Sequence, residues 1–307
     1  MLDLPGSPTS PPPVQMRRIP ALFTLLAAFV ATLAGTLPAA AADAPSPALE
    51  RIKRTGTIHL AYREGAAPFS FRDRGGQVRG YSVELCSRVA AAIQKDLGLA
   101  ALKIDWIPVT AATRIAAVTG GRADAECGTT TITLTRMKSV DFSVPIFVDG
   151  GTVLVAAKSK LSRLGELKGR KIAVIPGTTT EQALKRALDA VDAPAVLVPV
   201  KDGDAGVALL AQDKVDGVAG DRIVLVGLKT AAPDPSALEF IEGDFSYEPY
   251  ALVLPRADPE FRLAVNRALV GVYRSGDIDA VFQRWLGALG QPSALLHAMF
   301  YLNTLPE

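Results

Sequence analysis

Apolar residues recur along this chain with two periods, two residues and three to four residues, and the switches between them mark out strands and helices. Residues 56–62 read as a strand, and Ser70-Phe71 with residues 78–81 read as a short excursion around the turn Asp73-Arg74-Gly75-Gly76. Leu85, Cys86, Val89, Ala90 and Ile93 then fall at helical spacing, with Ser82 suited to cap the helix and Glu84 to sit at its positive end. A strand (102–107), a helix (112–120), a strand (123–127) and a threonine loop (128–133) follow. The second half repeats the theme with strands at 171–175, 195–198 and 215–219 and helices at 181–191 and 204–212. A strand at 250–254 and helices at 259–275 and 278–289 close the chain.

Strands that alternate with helices predict mostly parallel sheets covered on both faces, an α/β fold. Two such runs predict two lobes, the first formed by residues 43–149 and a return segment 247–307, the second by residues 150–246. Crossings near Val148 to Thr152 and Ser246 to Tyr250 form a two-strand hinge, which permits closure about a ligand.

The first 42 residues break this pattern. Met16-Arg17-Arg18 precedes an uncharged apolar run over residues 21–37 and then four alanines at 39–42, the layout of a secretory signal peptide cleaved near Ala42. The run is shorter than the ~20 residues of a membrane span. Residues 1–15, rich in Pro and Ser, lie upstream of the charged region, so Met16 is the expected start. The mature chain is expected in the periplasm, with no membrane anchor.

Of 33 Lys and Arg and 31 Asp and Glu, the leader takes two arginines and one aspartate. The near balance that remains gives no reason to expect nucleic acid as a partner. The two cysteines, Cys86 and Cys127, fall on the apolar face of a helix and in a strand, where buried free thiols pack as small hydrophobes. Free thiols are therefore the expectation, although the compartment permits one disulfide. His59 and His297 stand at no ligand spacing with either cysteine, so neither a metal nor another cofactor is expected.

In both halves a strand runs into a Gly-Thr-Thr-Thr loop, at 128–131 and at 177–180, and the second opens a helix with the capping-box spacing Thr178 to Glu181. Ligands of open α/β sheets sit beyond the carboxyl ends of the strands, and loops of this kind receive anions through N–H groups and hydroxyls. Two of them facing each other make a cleft.

A set of short motifs then resembles a known family, the type II periplasmic binding proteins for polar amino acids (extracellular solute-binding protein family 3). It comprises Arg54-Thr55-Gly56, Pro68-Phe69-Ser70-Phe71, Gly80-Tyr81-Ser82, Gly121-Arg122-Ala123-Asp124, Thr135-Arg136, Asp141-Phe142-Ser143-Val144-Pro145, Leu167-Lys168-Gly169-Arg170, Gly177-Thr178-Thr179, Gly220-Asp221, and Ser275-Gly276 with Trp285. Tyr62-Arg63-Glu64, Pro108-Val109-Thr110 through Arg114, residues 126–131 and Lys201-Asp202-Gly203-Asp204 look like its glutamate/aspartate-binding branch. The chain departs from that branch at Ala111, where a serine is common, and at Gly203, the nearest candidate for a common histidine.

Resemblance and the chemistry of a zwitterion together imply the site, because neither ligand charge can be buried without a partner. Arg136 grips the α-carboxylate with Thr129, Thr131 and the backbone of Thr178 and Thr179. Asp221 accepts the α-ammonium, and Arg63 and Arg114 select an acidic side chain. The bland alternatives are a solvated surface Arg136, an Arg63 paired with Glu64 or Asp73, an Arg114 paired with Asp124 or Glu126, and an Asp221 that only caps a helix. The implied function is the binding component of an ABC amino-acid importer, a monomer whose partners are the ligand and the permease and ATPase complex. The alternatives are a binder of another polar amino acid such as glutamine, an arogenate or prephenate dehydratase with Glu126 or Glu64 as its acid, and a sensor module with the same cleft.

Overall fold

The computed structural model describes residues 46–306. The leader and its cleavage site therefore lie outside the described residues.

The first part of the chain runs through α1 (Pro47–Thr55), β1 (Thr57–Arg63), a small three-stranded sheet of β2 (Gly65–Ala66), β3 (Ser70–Arg72) and β4 (Val78–Arg79), and α2 (Tyr81–Asp96). It continues with β5 (Lys103–Val109), α3 (Arg114–Thr119), β6 (Ala125–Glu126), β7 (Val140–Phe142) and β8 (Phe147–Asp149). The second part holds β9 (Gly151–Ala156), β10 (Lys171–Val174), α4 (Thr179–Ala190), β11 (Val196–Pro199), α5 (Gly203–Ala211), β12 (Gly217–Asp221), α6 (Arg222–Ala231) and β13 (Leu238–Phe240). The chain returns through β14 (Glu248–Tyr250), β15 (Val253–Pro255), α7 (Pro259–Arg274), α8 (Asp277–Leu286) and α9 (Ala294–Leu302).

Two five-stranded sheets result, ordered β5-β1-β6-β15-β7 and β11-β10-β12-β9-β13. The strands joined by helices, β5-β1-β6 and β11-β10-β12, are parallel, as the alternation predicts. Each sheet also has an antiparallel side, built by β15 with β7 and by β9 with β13. Period-2 burial covers both faces: along β15 and its lead-in, Leu252 and Leu254 enter one apolar cluster while Ala251 and Val253 enter another. In the other sheet Val153 and Val155 face one cluster and Leu154 its opposite. This is the two-lobed α/β architecture expected from the sequence.

Between the sheets β8 pairs antiparallel with β14, with Glu248 opposite Asp149 and Tyr250 opposite Phe147. The apolar run at 250–254 is thus not one strand, because it breaks at Ala251-Leu252 into a linking strand and a sheet strand.

Two other local expectations need correction, and one helix was not read from the sequence. Cys86 and Cys127 are not free thiols but a disulfide, with Cα atoms 6.2 Å apart. Helix α2 begins at Tyr81 after Gly80, whose φ of 132° suits glycine, and a Cβ there would lie 2.2 Å from the Phe69 carbonyl oxygen. Ser82 accordingly does not cap it and instead donates its hydroxyl to the Gly128 carbonyl at 2.8 Å. The polar stretch before β1 is helix α1, capped by Ser46, which accepts from the Leu49 amide.

Candidate functional site

Three arginines from three separate segments reach one loop. Arg63 ends β1, with its backbone N–H donating to Ser70 Oγ at 2.8 Å, and its Nη1 donates to Thr129 Oγ1 at 3.0 Å. Arg114 opens α3 and donates through Nη1 to the Thr129 carbonyl at 3.2 Å. Arg136 opens a single 3-10 turn and donates through Nη1 to the Thr131 carbonyl at 2.6 Å. Arg63 and Arg114 are buried and Arg136 is partly so.

Neutral oxygens hold these cations directly, and the carboxylates of Glu126, Asp221 and Glu248 attract them only from a distance. Burial first, and then the neighbouring Arg114, lowers Arg63 and Arg136 each to about 10, so both stay protonated at neutral pH. Glu126 supplies part of the counter-charge from beneath the loop: Thr130 donates to its Oε2 at 2.6 Å, while Oε1 has no partner. Burial pushes the Glu126 carboxyl up against the pull of Arg114. A Cβ at position 128 would lie 2.1 Å from that Oε1, which is why the loop needs Gly128. Arg114 Nε is likewise buried without an acceptor. A ring of guanidinium donors with capacity to spare is an anion receptor.

The facing wall comes from the second lobe. Thr178 caps α4, its Oγ1 accepting from the Glu181 amide at 3.1 Å, and Glu181 Oε2 in turn accepts from the Gly177 amide at 2.8 Å. Asp221 ends β12 at the N-cap position of α6 yet makes no side-chain cap bond. Its Oδ1 accepts from Thr180 Oγ1 and its Oδ2 from the Tyr250 hydroxyl, both at 2.6 Å. The carboxylate is thereby aimed into the cleft.

The walls touch. Thr131 and Thr179 lie 3.1 Å apart across the cleft, and both donate to Glu248 Oε2, at 2.6 and 2.7 Å. A Cβ on Gly65 would lie 2.9 Å from the Asp202 Cβ of the other lobe. The cavity between them, lined among others by Arg63, Arg114, Thr129, Thr178, Thr179 and Asp221, measures about 40 Å³, room for a few waters rather than for an amino acid.

All eight residues singled out in the sequence therefore lie around one cleft, with seven bound into its hydrogen-bond network or lining it and Arg136 at its edge through Thr131. The bland pairings with Glu64, Asp73 and Asp124 do not form, since Glu64 bonds Tyr62 and approaches Arg72, Asp73 pairs with Arg79, and Asp124 pairs with Arg51, whereas Arg114 does attract Glu126 without a direct bond. Sequence reasoning missed Glu248, Thr180 and Tyr250. Thr180 was legible as the last member of its Gly-Thr-Thr-Thr loop, whereas Glu248 and Tyr250 carry no local signal and gain their places from the pairing of β8 with β14.

The comparisons bear on this geometry. The family model for bacterial extracellular solute-binding proteins, family 3, matches residues 58–288. The L-glutamate/L-aspartate-binding protein of Pseudomonas aeruginosa is 33% identical over 248 residues, 80% of this chain and 81% of the relative. The glutamate/aspartate import solute-binding protein of Salmonella typhimurium is 30% identical over 244 residues, 80% of this chain and 81% of the relative. The crystal structure of the ancestral amino acid-binding protein AncCDT-1, a precursor of cyclohexadienyl dehydratase, matches with a TM-score of 0.67 and 28% identity over 77% of this chain and 98% of that one. With the family matched across both lobes and the cleft between them, the chain belongs to the bacterial extracellular solute-binding proteins, family 3.

Proposed function

We propose that this protein binds an acidic amino acid, glutamate or aspartate, in the periplasm and delivers it to an ABC importer as a monomer. One observation carries the reading: three arginines stand on one side of a cleft whose other side presents the Asp221 carboxylate. Two carboxylates of a ligand offset the buried cations, and its ammonium meets Asp221. In this reading Arg136 with Thr129, Thr131 and the amides at Thr178 and Thr179 takes the α-carboxylate. Arg63 and Arg114 take the side-chain carboxylate. A neutral side chain such as that of glutamine leaves two desolvated guanidinium groups without an anion. The names of the two bacterial relatives point the same way. Closure swings residues 150–246 against the rest about the paired strands β8 and β14.

Binding rather than catalysis fits the carboxylates present. Glu126 is fully buried beneath the Thr loop and is not among the residues lining the cavity, and Glu64 is an exposed side chain bonded to Tyr62. Neither is placed to protonate a bound ring acid.

Calorimetric titration of glutamate, aspartate, glutamine, asparagine and arginine into ligand-stripped protein tests the proposal. The two acidic amino acids should bind far more tightly than the others, and a preference for a neutral or basic one would overturn it. Turnover of arogenate or prephenate would instead establish the enzymatic reading.

A further inference from the structure

Asp149 ends the linking strand β8, half-buried, and plays no part in the ligand contacts proposed above. Its Oδ1 accepts from the Gly150 amide at 2.9 Å, and its Oδ2 accepts from the Ile223 amide at 3.1 Å and the Tyr250 hydroxyl at 3.3 Å. The same hydroxyl donates to Asp221 Oδ2 at 2.6 Å. A single phenolic proton thus lies between two carboxylates, and the shorter contact gives it to Asp221.

Among the described residues no cation bonds to Asp149. From β14 it is faced by Tyr250 and by its pairing partner Glu248, and from the end of β12 by Asp221. Arg222, the next residue, is committed elsewhere, with Nε donating to Asp244 Oδ1 at 2.6 Å and Nη2 to the Gly243 carbonyl at 2.8 Å. Helix α9 packs against β8, and its titratable residues His297 and Tyr301 are exposed. Arg63 and Arg136 act on Asp221 from the far side of the cleft. Burial, and then the charge of Asp221, push the Asp149 carboxyl up to about 7 despite the amide donors of Gly150 and Ile223.

We propose that Asp149 links ligand binding to a proton: it holds one while no cation stands beside Asp221, and releases it to solvent when the ligand ammonium docks there. The inference rests on the reading of Asp221 as the ammonium acceptor. The added positive charge favours the ionised form of the neighbouring carboxylate, so its proton is bound more weakly in the complex. The sign follows from linkage: below pH 7 the ligand must displace a proton and affinity falls as pH falls. Above it Asp149 is already ionised and affinity is level. Ligand taken up at mildly alkaline pH is held more loosely in an acidified compartment.

Isothermal titration of glutamate between pH 5.5 and 8.5 tests this, together with titrations at pH 7 in two buffers of different ionisation enthalpy, which count protons released. Wild-type protein should bind roughly tenfold more weakly at pH 5.5 than at pH 8, and release about half a proton at pH 7. Asp149→Asn, neutral at every pH, should bind throughout with the wild-type's acid-limit affinity and without that slope. Any slope owed to another group, Glu126 included, survives in the variant and is thereby told apart. Tight glutamate binding with no pH slope and no proton release in the wild type overturns the inference alone. A slope that persists unchanged in Asp149→Asn does the same. Absence of amino-acid binding at every pH overturns the ligand reading and the inference with it. The proton count needs only the wild-type protein, so it decides the matter even if the variant does not fold.

Discussion

Arg136 and Asp221 act on opposite charges of one ligand from opposite walls of the cleft, so each should be required. Arg136→Ala or Asp221→Ala leaves a buried ligand charge without its partner, at about 3–5 kcal/mol, or two to four orders of magnitude in affinity. Calorimetry on either variant should show glutamate binding lost or barely measurable, and near wild-type affinity would remove that residue from the site. Arg63 poses a subtler question, because it both lines the cavity and braces Thr129. As a direct ligand of the side-chain carboxylate, its loss should cost glutamate and aspartate at least about 2 kcal/mol and glutamine and asparagine much less. If it only braces the loop, all four ligands should weaken alike. The arginines were legible through the family motifs that carry them, and Arg63 also because it stands at the carboxyl end of an apolar strand. Asp149 and Glu248 were not, because an acidic residue in Phe-Val-Asp-Gly or Tyr-Glu-Pro-Tyr acquires its meaning only when residues 99 positions apart pair as Asp149 with Glu248.

The disulfide shows what a single element can and cannot reveal. Cys86 lies on the buried face of α2 and Cys127 follows β6, both in one apolar cluster, so each looks locally like a packed thiol. Their pairing is a tertiary fact, set by the packing of α2 onto the sheet that holds β1 and β6. Closing a loop across a sequence separation of 41 should stabilise the fold by about 2–4 kcal/mol, mainly through the unfolded chain. Replacing both cysteines by alanine should therefore lower the denaturant midpoint while leaving glutamate affinity nearly unchanged, since neither sulfur lines the cleft. An unchanged midpoint would mean that the bridge does not form in the purified protein. The helix-linked parallel strands were readable from periodicity alone. The antiparallel sides were not, because β7 and β13 are three residues each and β15 merges with β14 into one apolar run.

At the scale of the whole molecule the cleft has to open, since its walls meet through Thr131, Thr179 and Glu248 around a cavity of about 40 Å³. Electrostatics gives the direction of the motion. With the walls together, Arg63 and Arg114 are buried and Arg136 partly so, with no carboxylate bonded directly to any of the three among the described residues, although Glu126, Asp221 and Glu248 attract them from a distance. The burial of cations without a direct anionic partner is costly. Parting the lobes rehydrates the guanidinium groups. A dicarboxylic ligand supplies the missing anions and removes that incentive, so the ligand-free protein should favour the open form and the complex the closed one. The link between the lobes permits this, because β8 and β14 meet over three residue pairs and a small twist there moves the second sheet as a body. Small-angle scattering should accordingly give a smaller radius of gyration with glutamate at saturation, verified by calorimetry on the same sample, than without it. Arg63→Ala should shrink the difference by making the ligand-free closed form less costly. Identical profiles with and without bound ligand would show that the protein admits glutamate without swinging its lobes, and would place the work of entry on the cleft loops instead.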